Sequence, residues 1–137
     1  MIVLDTSVLS HVFRRPSARQ AESVVVGHFS ALVSEGHPLV IPGVVLQELL
    51  SGIRDERQFE RLRIALEGFP LILAEGEDHV EAARLMNVVR GRGIAASSFD
   101  MLIAATTIRR RARLFTLDRD FERLAPLIPL TLLELPA

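Results

Sequence analysis

Acidic residues occupy positions where a solvent-exposed charge has little reason to be. Asp5 closes the apolar run MIVLD, Glu48 lies inside VVLQELL, and Asp100 interrupts SSFDMLIAATT between Phe99 and Met101. Asp118 and Asp120 follow the apolar LFT in TLDRDF. Carboxylates gathered at one point repel one another, and without a counter-ion some would take up protons; a bound divalent cation removes that cost. Oxygen donors with no cysteine among them select a hard ion, Mg²⁺ or Mn²⁺, over structural zinc. Such ions suit phosphoester hydrolysis: they polarise a phosphoryl oxygen, lower the pKa of bound water, and a second ion can stabilise the leaving oxygen. No nucleophilic side chain is required.

Each acid also has a local alternative. Asp5 can be a helix N-cap, Asp118 can cap a helix beginning at Arg119, and Ser97 with Asp100 forms a capping-box pattern. Asp120 and Glu122 fall in a polar first turn, where acids favour the helix dipole. Glu48 has no such role. Its neighbours at helical offsets, Val44, Val45, Ser51 and Gly52, are apolar or small, so it is expected on an inward helix face. Asp100 likewise has Ala96, Ser97, Ile103 and Ala104 around it, which leave room beside a carboxylate. The histidines (His11, His28, His37, His79) show no metal-binding spacing and read as surface or helix-end residues.

Those acids need a scaffold that brings strand ends together, and the hydropathy pattern supplies one. Apolar runs at MIVLD, 38–42, 70–74, 113–116 and 130–135 read as strands. Between them, helical patterns run from Thr6 or Ser7 to Phe13, with Pro16 as a stop, and from the capping box Ser17–Gln20 to about Glu35. Further helices are expected over 43–52, 55–67 (Phe59, Leu62, Ile64 and Leu66 apolar), 77–92 and 119–125. In the 77–92 helix, Val80, Ala83, Leu85, Val88 and Val89 are expected to face inward. The helix bearing Asp100 opens at Ser97 or Ser98 and runs to about Arg111. Strands separated by helices imply an α/β fold: a mainly parallel central sheet of four to five strands with helices on both faces. In such folds ligands bind outside the carboxyl ends of the strands, where Asp5 and Asp118 fall.

Composition excludes several other chemistries. The chain has 137 residues, 49% of them hydrophobic and 24% charged, which suits one globular domain over residues 1–137. Absent cysteine rules out disulfides, thiolate zinc sites and a cysteine nucleophile. No run reaches the roughly 18 apolar residues of a membrane span, and Asp5 interrupts the first apolar stretch, so the expected location is the cytoplasm. Net charge is −1, giving the whole chain no bias toward nucleic acid. All 16 basic residues are arginine, which removes any P-loop, Schiff-base or receiver-domain lysine.

The stretches IVLDTSVL, VVLQELLSG, SSFDMLIAATT and LFTLDRDFERL resemble the PIN-domain nucleases, and more narrowly the VapC-type toxins of toxin–antitoxin pairs, in order and spacing from residue 2 to about 125. The resemblance implies a PIN domain whose active site is Asp5, Glu48, Asp100 and Asp118, with Asp5, Asp100 and Asp118 holding Mg²⁺ or Mn²⁺. It implies support from Thr6, Thr116 and Asp120. It further implies an endoribonuclease cutting single-stranded RNA or an RNA loop, in tRNA or another structured RNA, a homodimer, a small cognate antitoxin, and operator DNA bound only through that antitoxin. No membrane partner is implied. Within this reading Arg14, Arg15, Arg90 and Arg92 are candidates for the RNA backbone. The arginine cluster RRRAR (109–113), as a last helical turn, complements the helix dipole.

Other assignments stay open on sequence alone: a PIN nuclease of RNA processing without an antitoxin, or a catalytically inactive PIN-like binding module. Phosphatases of similar architecture need DxD after the first strand, where this chain has DTS, and receiver domains need the absent lysine. With no tyrosine or tryptophan, base stacking falls to the seven phenylalanines or to arginine planes.

Overall fold

Four of the apolar runs form strands in the computed structural model, which describes residues 1–14 and 23–136. They are β1 (Ile2–Leu4), β2 (Leu39–Pro42), β3 (Leu71–Ile72) and β4 (Arg113–Phe115). All pair in parallel, in the order β3-β2-β1-β4. The chain therefore builds outward from β1 through β2 to β3, then returns to the opposite side of β1. That reversal makes the β1–β4 junction a topological switch point, the place where such sheets leave a crevice. Ile2 pairs with Arg113 and Leu4 with Phe115, and the Asp5 N–H continues the ladder to the Phe115 carbonyl at 3.1 Å.

A strand expected over 130–135 shrinks to a single bridge between Leu132 and Leu114. The cause is the length of β4. Arg113 and Phe115 turn their hydrogen bonds toward β1, so only Leu114 faces outward. Its N–H goes to Thr131 and its carbonyl takes the N–H of Leu133, leaving no partner for a longer pairing.

Among the described residues, seven α-helices flank the sheet: α1 (Thr6–Leu9), α2 (Val24–Ser34), α3 (Gly43–Leu50), α4 (Glu56–Leu66), α5 (Gly76–Gly91), α6 (Ser98–Arg109) and α7 (Arg119–Leu124). A π-helical turn over Ser10–Arg14 continues α1. The expected capping box Ser17–Gln20 and Arg15 lie outside the described residues. Within them, α2 opens at Ser23, whose hydroxyl accepts the Val25 N–H.

Two helix faces differ from the apolar pattern. On α4, Leu62 and Leu66 are buried whereas Ile64 is exposed, because a residue two positions from each points off their shared stripe. On α5, Leu85 and Val89 are buried as expected and Met86 joins them; Val80, Ala83 and Val88 are exposed. The helix is rotated by a charge: Asp78 is fully buried and begins the stripe that Leu85 and Val89 continue.

Asp78 is held by partners from α6. Its Oδ1 accepts from Arg109 at 2.7 Å and from Arg110 at 3.0 Å, and its Oδ2 accepts from Arg110 at 3.2 Å. It also caps its own helix, accepting the Glu75 N–H at 2.8 Å. Burial works to raise its pKa, but the bonds from Arg110, the Glu75 backbone and Arg109 outweigh this and hold the carboxyl at about 2. Arg109 and Arg110 are thus ion-pair partners of α5 as well as cations at a helix end. Small residues do the rest: Ala104 and Ala105 are fully buried, so α6 lies close against its neighbours.

A carboxyl held near 2 when folded and near 3.8 when unfolded stabilises the fold above the higher value and ceases to as pH falls through the lower. Asp78→Asn should therefore cost about 2 kcal/mol of unfolding free energy at pH 7. The gap between wild type and variant should narrow from about pH 5 toward pH 2. Urea unfolding across that range measures it; a gap constant with pH would show that the ionised carboxylate contributes nothing.

Candidate active site

The carboxyl ends of β1 and β4 open into a cavity of about 540 Å³, and Asp5, Glu48, Asp100 and Asp118 all line it. Asp5 comes from the end of β1, Glu48 from α3, Asp100 from the first turn of α6, and Asp118 from the N-cap of α7. Residues up to 113 positions apart in sequence thus meet at the switch point. Asp120 stands outside that cavity, exposed and paired with Arg123. Even so, one carboxylate oxygen each from Asp100, Asp118 and Asp120 lie within 4.8 Å of one another.

Asp5 is the best ordered of the acids by its bonds, and it is 4% exposed. Its Oδ2 accepts from Thr116 Oγ1 at 2.7 Å and from Ser7 Oγ at 2.9 Å. Each hydroxyl has one proton to give, and both are directed at the same oxygen. Their lone pairs are used as well: Ser7 Oγ accepts the Leu117 N–H, and Thr116 Oγ1 accepts the Asp118 N–H. Two hydroxyls therefore tie the end of β4 and the start of α7 to Asp5, while Asp5 Oδ1 makes no hydrogen bond among the described residues. Thr116 is among the residues that the resemblance implies as support; Ser7 enters the sequence pattern only as a possible start of the first helix. Its bond to Asp5 spans two residues, but its bond to Leu117 spans 110 and has no local signal.

Capping and clustering coexist at the other acids. Ser97 Oγ accepts the Asp100 N–H at 3.0 Å, so the serine half of the capping box forms. The Asp100 side chain completes no reciprocal bond to the Ser97 backbone among the described hydrogen bonds, and it lines the cleft. Burial raises the Asp100 pKa, the charges of Asp118, Asp5 and Glu48 raise it further, and the Ser97 hydroxyl opposes them. Asp118 does cap α7, accepting the Asp120 N–H at 2.9 Å, and lines the cleft too. Glu48 differs from expectation: it reaches the cleft from an exposed position, because α3 buries Val45 and Leu49 and turns the intervening residues to the rim.

Oxygen atoms alone supply the donors here, and no histidine lines the cleft. Thr6 Oγ1, also in the cleft, is buried with no hydrogen-bond partner among the described residues. An orphaned hydroxyl beside close carboxylates fits a hard cation with its water shell. The described histidines are not all at the surface: the His28 ring packs edge-on against Phe115 with its Nε2 buried. Among the arginine candidates, Arg14 lines a separate pocket with Arg54 and Arg61, and Arg90 and Arg92 are exposed at the end of α5. None of the three lines the acid cleft.

A family model described as PIN domain matches residues 2–127. Ribonuclease VapC11 of Mycobacterium tuberculosis is 30% identical over 129 residues, spanning 91% of this chain and 92% of its own. A VapC ribonuclease of Mycobacterium bovis matches to the same extent. Among solved structures, VapBC2 of Rickettsia felis, bound to a promoter DNA fragment, superposes with a TM-score of 0.79 at 22% identity, covering 99% of this chain and all of that one. FitAcB of Neisseria gonorrhoeae gives 0.77 at 20% identity, covering 98% and 97%.

Like charges crowd Asp100, so removing its charge should not weaken the metal-free protein. Asp100→Asn in EDTA is expected to melt at the wild-type temperature or above it. A loss of more than about 1 kcal/mol, the scale of a lost cap, would instead assign Asp100 to holding the start of α6.

Proposed function

The chain belongs to the PIN-domain family, on its VapC branch, and from that premise we propose that it is a metal-dependent endoribonuclease toxin of a toxin–antitoxin pair. The observation that carries this reading is the meeting of Asp5, Glu48, Asp100 and Asp118 in one cleft at the switch point of the sheet. The named ribonuclease relatives support an RNA substrate. Solved relatives that are complexes, one of them on promoter DNA, support a cognate antitoxin that neutralises the toxin and carries it to operator DNA. A homodimer and a cytoplasmic location belong to the same proposal; no helix among the described residues is long and apolar enough to cross a membrane.

In this reading Asp5, Asp100 and Asp118 hold Mg²⁺ or Mn²⁺, with Asp120 at the margin. The ion would supply an activated water and neutralise charge on the phosphoryl oxygens. The chain's own groups do the positioning. Ser7 and Thr116 fix Asp5 Oδ2, so that Oδ1 is the oxygen left for a ligand. Glu48, which lines the open rim, would take a proton on its carboxylate from the attacking water. Thr6, whose hydroxyl has no partner among the described residues, can bond a water in the same shell.

Two measurements test the proposal without the natural RNA having to be known first. Saturating Mn²⁺ at a hundred times its dissociation constant should add about 2.7 kcal/mol to stability, seen as several degrees in Tm, and Asp100→Asn should lose most of that shift. No shift in wild type would make the fold a binding module. Glu48→Gln should abolish RNA cleavage while keeping a native circular dichroism spectrum, and retained cleavage would remove Glu48 from the chemistry.

A further inference from the structure

Apart from the acid cleft, a cavity of about 500 Å³ has three arginines and no carboxylate in its lining. Arg14 comes from the π-helical turn, Arg54 from the link between α3 and α4, and Arg61 from α4. None of the three has an ion pair among the described residues, where Arg63, Arg84, Arg109, Arg110 and Arg123 take the carboxylates. The order of residues along α4 keeps acids away. Gln58, Arg61, Leu62 and Ala65 recur at helical spacing, so they share one face, and all four line the cavity. Glu60 and Glu67 lie off that face, and Arg63 binds both. Asp55 is turned to the start of the helix, where it accepts the Arg57 N–H.

Two segments wall both this cavity and the acid cleft. Along the first, Ser10 lines the cleft, and Phe13 and Arg14 line the cavity. Along the second, Glu48 lines the cleft and Gly52, just past the end of α3, lines the cavity. The step from Ser10 to Arg14 is close to one helical turn, about 5 Å along the axis. Gly52, at a φ of +88°, makes the turn that brings Ile53 and Arg54 to the wall. Phe13, Ile53 and Leu62 pack with the core and give the cavity an apolar side. A positively charged cavity thus adjoins the negatively charged cleft.

Guanidinium forks match phosphate oxygens in geometry and charge, and a cavity of this size holds a small organic group as well as an ion. Resting on the ribonuclease reading above, we propose that the cavity of Arg14, Arg54 and Arg61 is a nucleotide-binding exosite. It takes one phosphate of the RNA chain outside the bond being cut, with the attached nucleoside against its apolar side. The chain then bridges two sites that hold phosphate by different means. In the cleft a cation must stand between phosphate and carboxylates, whereas in the exosite arginine binds the phosphate directly and no metal is needed. An acidic peptide would also satisfy the charge; the two walls shared with the acid cleft favour the RNA. Contacts made outside the reacting bond hold substrate and transition state alike, so the exosite acts on KM and not on kcat.

Two probes of the full chain test this. The first is 5′-AMP in EDTA, where carboxylates without a cation repel phosphate and the arginine cavity does not. Isothermal titration should show saturable binding that Arg54→Gln and Arg61→Gln each weaken about fivefold. The second is a labelled, mixed-sequence single-stranded RNA, followed by anisotropy with Ca²⁺, which takes oxygen ligands as Mn²⁺ does. Each variant should weaken RNA binding about fivefold and lower the slope of log K against log salt by about 0.7. Arg57→Gln, on the same helix but outside the cavity, should change neither. All three side chains are exposed, and an unchanged Mn²⁺ shift in Tm will show that the variants keep the fold. AMP binding with RNA affinity unmoved by the variants would give the cavity to a free nucleotide and overturn its place on the RNA path. Binding of an oligoglutamate peptide but not of AMP would give it to an acidic protein segment and overturn the exosite. Either result leaves the nuclease reading standing. Failure of wild type to bind RNA while Mn²⁺ still shifts its Tm would overturn the nuclease reading and the exosite with it.

Discussion

Carboxylates that repel one another have to be held together by something other than themselves, and the rest of this fold is arranged around that constraint. The strand order brings the carboxyl ends of β1 and β4 side by side, and the backbone bond from Asp5 to Phe115 fixes their relative height. Ser7 and Thr116 then spend both their protons on a single oxygen of Asp5. Asp100 has fewer such bonds, and burial and its acidic neighbours push its pKa upward.

Stability at the opposite end of α6 complements this. The helix offers its N-terminus to Asp100, where the dipole favours a negative charge. At its C-terminus, Arg109 and Arg110 reach across to Asp78 on α5. A buried ion pair is weak evidence for net stability when both charges are fully desolvated. Here the arginines are 33% and 18% exposed at the side chain, so only the carboxylate gives up its water entirely, and it gains three charged contacts and a backbone N–H. The far end of α6 is thus well anchored, and the near end can carry an unfavourable charge without the helix shifting.

The acids at strand ends were legible because a parallel strand buried on both faces reads as an unbroken apolar run, and the first acid after such a run marks its carboxyl end. The strand order itself carries no local signal, but alternation of strands and helices already limited the arrangement to a parallel sheet. Burial of charge was not legible. Asp78 lies in the first turn of α5, where an acid is ordinary, and its arginine partners lie 31 and 32 residues away. Missing that contact also misplaced the inward face of α5, since Val80 and Val88 were assigned to a core that Asp78 had rotated out of their reach. Glu48 lines the cleft, but not from the inward face that its small neighbours suggested: α3 is short enough to leave it on the exposed rim. The missing fifth strand follows from hydrogen-bond supply along β4, which hydropathy does not encode.

Arginine usage bears on how a polyanion could be held here. Arg109 and Arg110 are committed to Asp78, Arg63 to Glu60 and Glu67, Arg84 to Glu81, and Arg123 to Asp120. Arg14, Arg54 and Arg61 have no ion pair among the described residues, yet they gather around a different pocket from the acids. The cleft itself therefore presents negative charge to any phosphate that approaches, and only a cation among the carboxylates reverses that sign.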